Sequence, residues 1–257
     1  MNVAPKKALG QHFLVDENIL GVIERLSELR PTDVVLEVGP GLGILTRRLA
    51  ERAQLVHSIE LDRSLEPELR AVLDAYSNVR LLWGDALRLA IDELEPAPSK
   101  LVANLPYNVA TPLVVESLEH APSLQRWCVM VQREVADRFF AEPRTKAYGA
   151  VSVLVQLSAQ KVGFHPVSQS VFRPQPRVDS ALVAFERAVV APISDVRPVV
   201  EAAFAHRRKT AGNSIALSGL ASRTEVETAL ASMGHGGNAR AEELEPREFV
   251  QLAELLA

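Results

Sequence analysis

Short runs of β-branched residues alternate with amphipathic stretches over the first 187 residues of the chain. This alternation is typical of a parallel sheet covered by helices. The predicted strands are Val34–Gly39, Leu55–Asp62, Val79–Asp85, Lys100–Pro106 and Trp127–Gln132. The predicted helices between them are Leu42–Arg52, Leu65–Ala75 and Pro112–Glu119. The pattern therefore predicts a doubly wound, Rossmann-like α/β sheet.

The pattern changes after Gly149. Two strand-like segments, Val151–Val167 and Asp179–Arg187, are separated only by a loop that contains the Pro-rich run Phe172–Pro176. Consecutive strands without an intervening helix predict an antiparallel hairpin at the edge of the sheet. The predicted sheet thus has seven strands, mostly parallel, with an antiparallel edge.

Strand signals stop at the linker-like segment Ala191–Asp195, and short helical patterns follow it. We therefore predict two domains, a sheet domain over residues 1–188 and a small all-α domain over residues 189–257. The second has too few residues for a large core of its own, so we expect it to pack against the first.

Composition narrows the class of protein. The chain has 257 residues, of which 47% are hydrophobic and 23% charged, which is typical of a globular protein and not of a disordered or membrane protein. No apolar segment follows Lys6 and Lys7, so a secretory signal is not predicted and the cytoplasm is the expected location. The single cysteine, Cys128, excludes an intramolecular disulfide and a multi-cysteine zinc site, and no metal is expected.

The net charge of -4 at first disfavours a nucleic-acid partner. The charges are segregated, however. Residues 51–96 carry ten acids against five arginines, and further acids lie within residues 225–254. Basic residues gather at the N-terminus, in the loop around Arg173 and Arg177, and in the run Arg207, Arg208 and Lys209. We therefore predict a basic face around the mouth of a pocket in an otherwise acidic protein.

A glycine-rich turn joins the first predicted strand to the first predicted helix. Gly39, Gly41 and Gly43 follow each other at intervals of two, where such a turn lets the backbone approach a ligand. In the dinucleotide fingerprint the third glycine or alanine comes three residues after the second, but here that position is Ile44. The spacing disfavours a dehydrogenase and matches the loop of class I S-adenosylmethionine (SAM) methyltransferases. A purely structural turn is the alternative.

Two acids end the next two predicted strands. Glu60 lies about twenty residues after the glycine turn, where a carboxylate accepts from ribose hydroxyls. Asp85 ends the third strand, where a carboxylate accepts from the exocyclic amine of an adenine. Either acid alone is more often a solvated turn or helix cap. Their order after the glycine turn predicts a nucleoside cofactor, whereas the role of the neighbouring Asp62 stays open.

The fourth predicted strand ends in Asn104-Leu105-Pro106-Tyr107. The amide oxygen of Asn104 and the carbonyl of Leu105 are acceptors, and Tyr107 offers a ring face, so that the four residues suit a planar amino-base. The sequence resembles the Asn/Asp-Pro-Pro-Tyr motif of methyltransferases that act on exocyclic amines. Acceptors on the hydrogens of N6 favour the pyramidal nitrogen that attacks a methyl group. An ordinary Pro-Tyr turn is the alternative.

A base inside a duplex does not reach such a pocket, so an unpaired or flipped nucleotide stacked on Tyr107 is expected. Phe172 either supplies the opposite ring face or fills the core. Arg173, Arg177, Lys146 and the run from Arg207 to Lys209 are candidates for phosphate contacts, with solvated surface charge as the alternative.

Together these residues resemble the ribosomal RNA adenine dimethyltransferases over nearly the whole chain. The nearest type is KsgA/RsmA, which modifies two adjacent adenines near the 3′ end of small-subunit (16S) RNA. The resemblance rests on eight ordered motifs: residues 9–14, 37–41, 59–62, 84–86, 104–108, 146–149, 172–181 and 207–210.

The resemblance implies a class I methyltransferase that forms N6,N6-dimethyladenosine on the small ribosomal subunit. Separately, no metal and no membrane partner are expected, and a monomer is the predicted state. The resemblance also implies that an N-terminal segment covers the cofactor and that the helical domain recognises RNA or the ribosome. The implied SAM contacts are His12, Leu14, Gly39, Glu60, Asp85 and Asn104, beside Gly41 of the glycine turn.

Two alternatives stay open within the same fold. The 23S rRNA adenine methyltransferases of macrolide resistance share the cofactor and the chemistry, but they usually have isoleucine at the position of Leu105 and commonly phenylalanine at that of Tyr107. A non-catalytic RNA-binding or transcription-factor descendant is disfavoured by the intact glycine turn and the intact segment from Asn104 to Tyr107.

Overall fold

The computed structural model of this chain describes residue 6 and residues 10–257. Its strands are β1 (Phe13–Leu14), β2 (Val34–Val38), β3 (Leu55–Glu60), β4 (Val79–Trp83), β5 (Lys100–Asn104), β6 (Arg126–Gln132), β7 (Ala159–Val167), β8 (Phe172–Arg173) and β9 (Ser180–Arg187). Its helices are α1 (Glu17–Ser27), α2 (Ile44–Ala50), α3 (Glu66–Leu73), α4 (Ala110–His120), α5 (Arg133–Phe139), α6 (Ala150–Gln156), α7 (Ile193–Phe204), α8 (Ala211–Ser218), α9 (Arg223–Ser232) and α10 (Pro246–Leu256). Among these described helices, none is long and apolar enough to cross a membrane.

Seven strands form one sheet in the order β4-β3-β2-β5-β6-β9-β7. The pairs from β4 through β6 are parallel, and β9 is antiparallel to β6. This is the mostly parallel sheet with an antiparallel edge that the sequence predicts. Because the chain runs from β2 to β3 on one side and returns to β5 on the other, the strand order reverses at β2. Ligands of doubly wound sheets bind in the crevice at such a reversal, outside the carboxyl ends of the strands.

The five parallel strands lie where the hydrophobic pattern predicts them, each ending one or two residues earlier or at the predicted residue. The pattern did not predict α1. Asp16 accepts from the backbone N–H of Asn18 and so caps this helix, and Ile19, Leu20 and Ile23 are its buried apolar residues. They pack with α2 and the sheet in one core cluster that also includes Leu14 and Phe172.

Helix α6 covers Ala150–Gln156, whereas the hydrophobic pattern predicts one strand-like segment over Val151–Val167. The strand prediction is wrong for the first half of that segment. Val153, Leu154 and Val155 are all buried, so the helix has no polar stripe with a period of 3.6 residues to reveal it.

The chain divides into two compact units, and the division differs from the predicted one. The sheet unit comprises Met1–Ala136 and Lys161–Arg187, and the helical unit comprises Asp137–Gln160 and Ala188–Ala257. The segment 137–160 therefore belongs with the C-terminal helices and not with the sheet. Within the helical unit α6 packs with α7 and α10, and the Tyr148 hydroxyl donates to the carbonyl oxygen of Leu244 (2.7 Å).

Candidate functional site

A cleft lies at the carboxyl ends of β2, β3, β4 and β5, within the sheet unit. Its walls come from Gly10–Leu14, from residues 37–42 with Ile44 and Leu45, and from Ile59–Leu61, Gly84–Leu87 and Asn104–Val109. Strands β2 and β5 meet here at the reversal of the strand order. The sheet topology thus brings together the glycine turn, Glu60, Asp85 and the Asn104–Tyr107 segment, which are far apart in the sequence.

The glycine turn has a backbone that favours glycine. Gly39, Gly41 and Gly43 have φ angles of 74°, 59° and 77°, in the left-handed region. A Cβ atom on Gly39 would lie 3.2 Å from the ring of Pro106, and one on Gly41 would lie 3.0 Å from the ring of Phe13. The turn therefore packs directly against the segment after β5 and against β1.

Glu60 is a buried carboxylate at the end of β3, with 6% of its surface exposed. Its Oε2 accepts from the Gly41 N–H (3.3 Å) and its Oε1 accepts from the Asp62 N–H (2.8 Å). Burial raises the pKa of Glu60, although these backbone donors oppose the effect. Two carboxylate oxygens offer about four acceptor positions, so both oxygens keep capacity for ribose hydroxyls.

Asp62, whose role the sequence leaves open, does not line the cleft. Its side chain accepts from Lys6 Nζ (2.6 Å), from Gln11 Nε2 (2.9 Å) and from the backbone N–H of Ser64 (3.0 Å). Burial alone would raise the pKa of Asp62, but these hydrogen bonds hold it well below its usual range. Asp62 is therefore a permanent anion that binds the N-terminal segment.

Asp85 lies in the turn after β4 and is only partly buried. Its Oδ1 accepts from the Leu87 N–H (3.0 Å), and Arg88 Nε lies 3.6 Å from Oδ2. The carboxylate both caps the turn and lines the cleft. The two interpretations that the sequence allows are thus compatible, because Oδ1 serves the turn while Oδ2 has only the ion pair with the exposed Arg88.

Asn104 ends β5 with a defined amide orientation. Its Nδ2 donates to the carbonyl oxygen of His12 (3.3 Å). A carbonyl oxygen only accepts, so the NH₂ group must face it and Oδ1 is left as the acceptor. The N–H of the next residue, Leu105, donates to the Met130 carbonyl oxygen (3.1 Å). Acceptors therefore stand at the end of β5, as the sequence predicts.

Tyr107 is half-buried, and its hydroxyl is hydrogen-bonded to Ser180 Oγ (2.8 Å) at the start of β9. Burial raises the pKa of this phenol, so the group stays neutral. The ring of His12 lies 5.5 Å from the Tyr107 ring between centroids. His12 Nδ1 donates in turn to the Pro174 carbonyl oxygen (2.8 Å). The tyrosine ring is thus fixed from two sides in the wall of the cleft.

Phe172 does not offer a ring face to the cleft. It is fully buried in the core cluster and pairs with Leu14 through the two-stranded sheet of β1 and β8. The prediction that it stacks on a substrate base is therefore not supported, and the alternative reading as a core residue is the one that the geometry favours. Leu14 is buried beside it and also lines the cleft.

The basic residues differ in their surroundings. Arg173 and Arg177 are exposed, and their side chains bind no residue of the described part of the chain. Lys6 is different, since its ammonium group is paired with Asp62. Lys6 is therefore not the free N-terminal charge that the charge pattern predicts, and Lys7 lies outside the described residues.

In the helical unit, Arg207, Arg208 and Lys209 are exposed at the end of α7. Arg207 Nη2 donates to the carbonyl oxygens of Tyr148 (3.3 Å) and Lys146 (3.4 Å). Lys146 is exposed as well, and its contact with Arg207 places these two basic residues next to each other on the helical unit.

Sequence reasoning missed one ionisable group of the cleft. Glu37, in β2, has 1% of its surface exposed and accepts from Ser58 Oγ (2.8 Å). Burial raises its pKa to about 7, and the nearby charge of Glu60 adds to the rise. An acid inside a strand whose other residues are all apolar is the signal that identifies such a group from sequence.

Residues 3–257 match the model of the family described as ribosomal RNA adenine dimethylase. The chain belongs to this family. The class of enzyme and the methyl donor predicted from the sequence are thereby confirmed: this rRNA adenine dimethylase uses SAM.

Relatives and solved structures agree with this family. A Rubrobacter xylanophilus protein named ribosomal RNA small subunit methyltransferase A is 51% identical over 96% of this chain and 94% of its own length. The Streptomyces griseus protein of the same name is 44% identical over 99% and 90%. The crystal structure of the 23S rRNA methyltransferase ErmE has a TM-score of 0.69 at 32% identity, covering 95% of this chain and 99% of that one.

A dimethyladenosine transferase from Plasmodium falciparum shares the fold. Its crystal structure has a TM-score of 0.75 at 24% identity, with 94% of this chain and 96% of that chain covered. The class I methyltransferase fold predicted from the sequence is confirmed by these two structures and by the sheet order.

Substituting alanine for Gly39 tests the packing of the glycine turn. A residue with a Cβ atom pays about 1–2 kcal/mol in the left-handed region, and the atom would also press on Pro106. We expect Gly39→Ala to weaken SAM binding at least tenfold in isothermal titration calorimetry. Gly21→Ala, at an open position of α1, is the control and should leave the affinity unchanged. Equal affinities of the two variants would contradict the packing argument.

Glu37 should make the stability of this rRNA dimethylase depend on pH. Its pKa is about 7 when folded, against an ordinary value of 4.5. Between these values the folded protein keeps a proton that the unfolded chain has released, so the contribution of Glu37 to stability falls as pH rises through this window. Glu37→Gln removes this pH-dependent loss of stability. The Tm of the variant, measured relative to that of wild type, should therefore rise from about pH 5.5 to about pH 8.

Thermal unfolding at the two pH values measures this difference. The same substitution at the exposed Glu254 controls for the change in net charge. A difference between Glu37→Gln and wild type that does not change with pH would show that Glu37 is ionised throughout.

Proposed function

We propose that this chain transfers methyl groups from SAM to the N6 atoms of two adjacent adenines near the 3′ end of 16S rRNA, within the small ribosomal subunit. The observation that carries the proposal is the fixed amide of Asn104, whose Nδ2 is held by the His12 carbonyl while Oδ1 is left to accept. This acceptor lies in the same cleft as Glu60 and Asp85.

The residues of the cleft fit SAM. Glu60 is a buried carboxylate with spare acceptor positions for the ribose, and Asp85 has an oxygen that the turn does not use. Leu14 and the backbone at Gly39 and Gly41 would complete the cofactor site. The cofactor supplies an electrophilic methyl group on a positively charged sulfur.

The protein's part of the reaction is to position and polarise the adenine amine. The N6 lone pair is delocalised into the ring, so an acceptor on each N6 hydrogen favours the pyramidal nitrogen that attacks carbon. Asn104 Oδ1 and the carbonyl oxygen of Leu105 are the two acceptors that we propose. Alignment and oriented dipoles supply this catalysis, and no strong base is needed because the nitrogen sheds its proton after it has become cationic.

Tyr107 is the proposed stacking surface for a flipped or unpaired adenine. Its ring is fixed by Ser180 and lies beside His12, so little side-chain entropy is lost when a base stacks on it. Phe172, being buried, is left out of this role. Arg173 and Arg177 are proposed to contact RNA phosphates near the cleft. In the helical unit, Arg207, Arg208 and Lys209 are proposed phosphate contacts as well.

Two features favour the small subunit over 23S rRNA as the target. The proteins named small subunit methyltransferase A are 51% and 44% identical, against 32% for the 23S rRNA methyltransferase ErmE. In addition, Leu105 and Tyr107 depart from the residues usual in the 23S enzymes. A ribosomal substrate also accounts for a cytoplasmic location, which is part of this proposal. The monomeric state stays a prediction.

Incubation with labelled SAM and purified ribosomal subunits that lack the modification tests the target. We expect label in the small subunit only, at two adjacent adenines near the 3′ end of its RNA, with digestion to nucleosides releasing N6,N6-dimethyladenosine. Label confined to the large subunit would overturn the choice of target. Transfer to neither subunit would favour a non-catalytic RNA-binding role.

Removing the Asn104 amide tests the reacting centre. Because Asn104→Ala deletes one of two acceptors on the amine, we expect kcat to fall by about 10²-fold or more, as for loss of one oriented group that acts in the transition state. SAM affinity should fall much less, since Glu60 and Asp85 remain. Tyr107→Phe keeps the ring and is the matched conservative variant, which should retain most activity. Full activity of Asn104→Ala in single-turnover assays would remove Asn104 from its role.

A further inference from the structure

The N-terminal segment that forms one wall of the cleft is tied down at a point outside the cleft. Asp62, Lys6, Gln11 and Ser64 form the cluster that we call the strap anchor. Lys6 Nζ donates to Asp62 Oδ1 (2.6 Å) and to Ser64 Oγ (2.9 Å), and Gln11 Nε2 donates to Asp62 Oδ2 (2.9 Å). The Lys6 N–H donates to Gln11 Oε1 (2.8 Å) and closes the cluster.

Burial makes the anchor stronger than a surface ion pair. The Asp62 side chain is 3% exposed and that of Lys6 is 49% exposed. Water reaches the lysine and screens the pair from that side. The carboxylate, however, is shielded and has both oxygens bonded by donors, so removing a partner leaves a buried anion under-satisfied. Loss of the Lys6 contact is therefore costly even though Lys6 itself is half-exposed.

The strap, residues 10–14, crosses from the anchor to the core. Gly10 has a φ of 62° and allows the chain to turn next to the anchor. Gln11 belongs both to the anchor and to the cleft wall. The carbonyl oxygen of His12 accepts from Asn104 Nδ2, and Leu14 is held by the pairing of β1 with β8. One end of the strap is thus fixed by the core, and the other end depends on Asp62.

The anchor also shares a turn with the ribose-binding carboxylate. The Asp62 N–H donates to Glu60 Oε1 (2.8 Å). Asp62 therefore orients Glu60 through its backbone and holds the strap through its side chain. A nucleoside bound at Glu60 would lie in the cleft of which the strap forms one wall. Release of the strap at Asp62 would open this wall while Leu14 remains in place, because the pairing of β1 with β8 is independent of the anchor.

We propose that Asp62 is a positioning residue that acts through Lys6 and Gln11 to hold the strap closed, and that opening of this anchor sets the rate of cofactor exchange. The inference rests on the proposed function. Each SAM supplies one methyl group, so dimethylation of one adenine uses two cofactor molecules. The spent S-adenosylhomocysteine must leave and fresh SAM must enter between the transfers, and the anchor must open each time.

The proposal is tested by measuring how fast S-adenosylhomocysteine leaves the whole chain. The rate is measured in a stopped-flow instrument by displacing the bound product with excess SAM. Lys6→Met breaks the anchor without touching the hydrogen bond of Asp62 to the Ser64 N–H. We expect release to be roughly tenfold faster, the size of losing one charge-assisted hydrogen bond. The KM for SAM should rise, and the KM for small subunits should not. Arg70→Met, which removes the exposed Arg70–Glu66 ion pair of α3, is the matched control and should behave as wild type.

The double variant with Asp62→Asn separates this role from a purely structural one. If Lys6 acts through Asp62, the double variant should release S-adenosylhomocysteine about as fast as Asp62→Asn alone. Hydrogen exchange at the amides of residues 10–14 should speed up in Lys6→Met while its Tm falls by no more than about 5 °C. Unchanged release in Lys6→Met, or effects of the two substitutions that simply add, would overturn the proposal.

Methyl transfer by the wild type to small subunits is measured in parallel, so the two proposals fail separately. Unchanged release in Lys6→Met with an active wild type overturns the anchor alone. A wild type that binds and releases S-adenosylhomocysteine without methylating either subunit overturns the proposed function, while the release rates of the variants still decide whether Asp62 holds the strap. A wild type that binds neither SAM nor S-adenosylhomocysteine overturns both.

Discussion

The close packing of Gly39 against Pro106 is the constraint on which the site depends. The backbone at the end of β2 has a left-handed conformation, and a Cβ atom there would lie 3.2 Å from the Pro106 ring. This contact joins the turn that would receive the cofactor to the segment that would receive the adenine. The methyl donor and the acceptor amine have to meet within bonding distance, and β2 and β5 are neighbours at the reversal of the strand order.

Three acids near this point show how the surroundings decide the role of a carboxyl group. Glu37 is buried next to another acid, which favours its neutral form. Glu60 is buried but has backbone donors that orient it toward the cleft. Asp62 accepts hydrogen bonds from an ammonium group, an amide and a hydroxyl, and these donors stabilise its anionic form. Residue type alone does not separate these cases, because the same carboxyl chemistry is tuned by its donors and by burial.

The parallel strands and the helices between them were predictable because each is short and has a simple hydrophobic period. The polar residues that end these strands were predictable for the same reason, since parallel strands bring their carboxyl ends to one edge. Helix α6 was not, because four consecutive residues at its centre are buried and lack a helical period. Phe172 and Lys6 were misjudged for a different reason: an aromatic or cationic side chain is ambiguous until its partners are known.

By itself, the sequence determined the fold class, the family and which candidate site residues end neighbouring strands, because these follow from local periodicity and from ordered motifs. Only the tertiary structure decided which partners those residues meet. It placed Phe172 in the core, paired Lys6 with Asp62, and turned the Asn104 amide so that Oδ1 accepts. The Lys6–Asp62 and Asn104–His12 contacts join residues 56 and 92 positions apart in the chain, and no local pattern encodes them, since they depend on the tertiary fold.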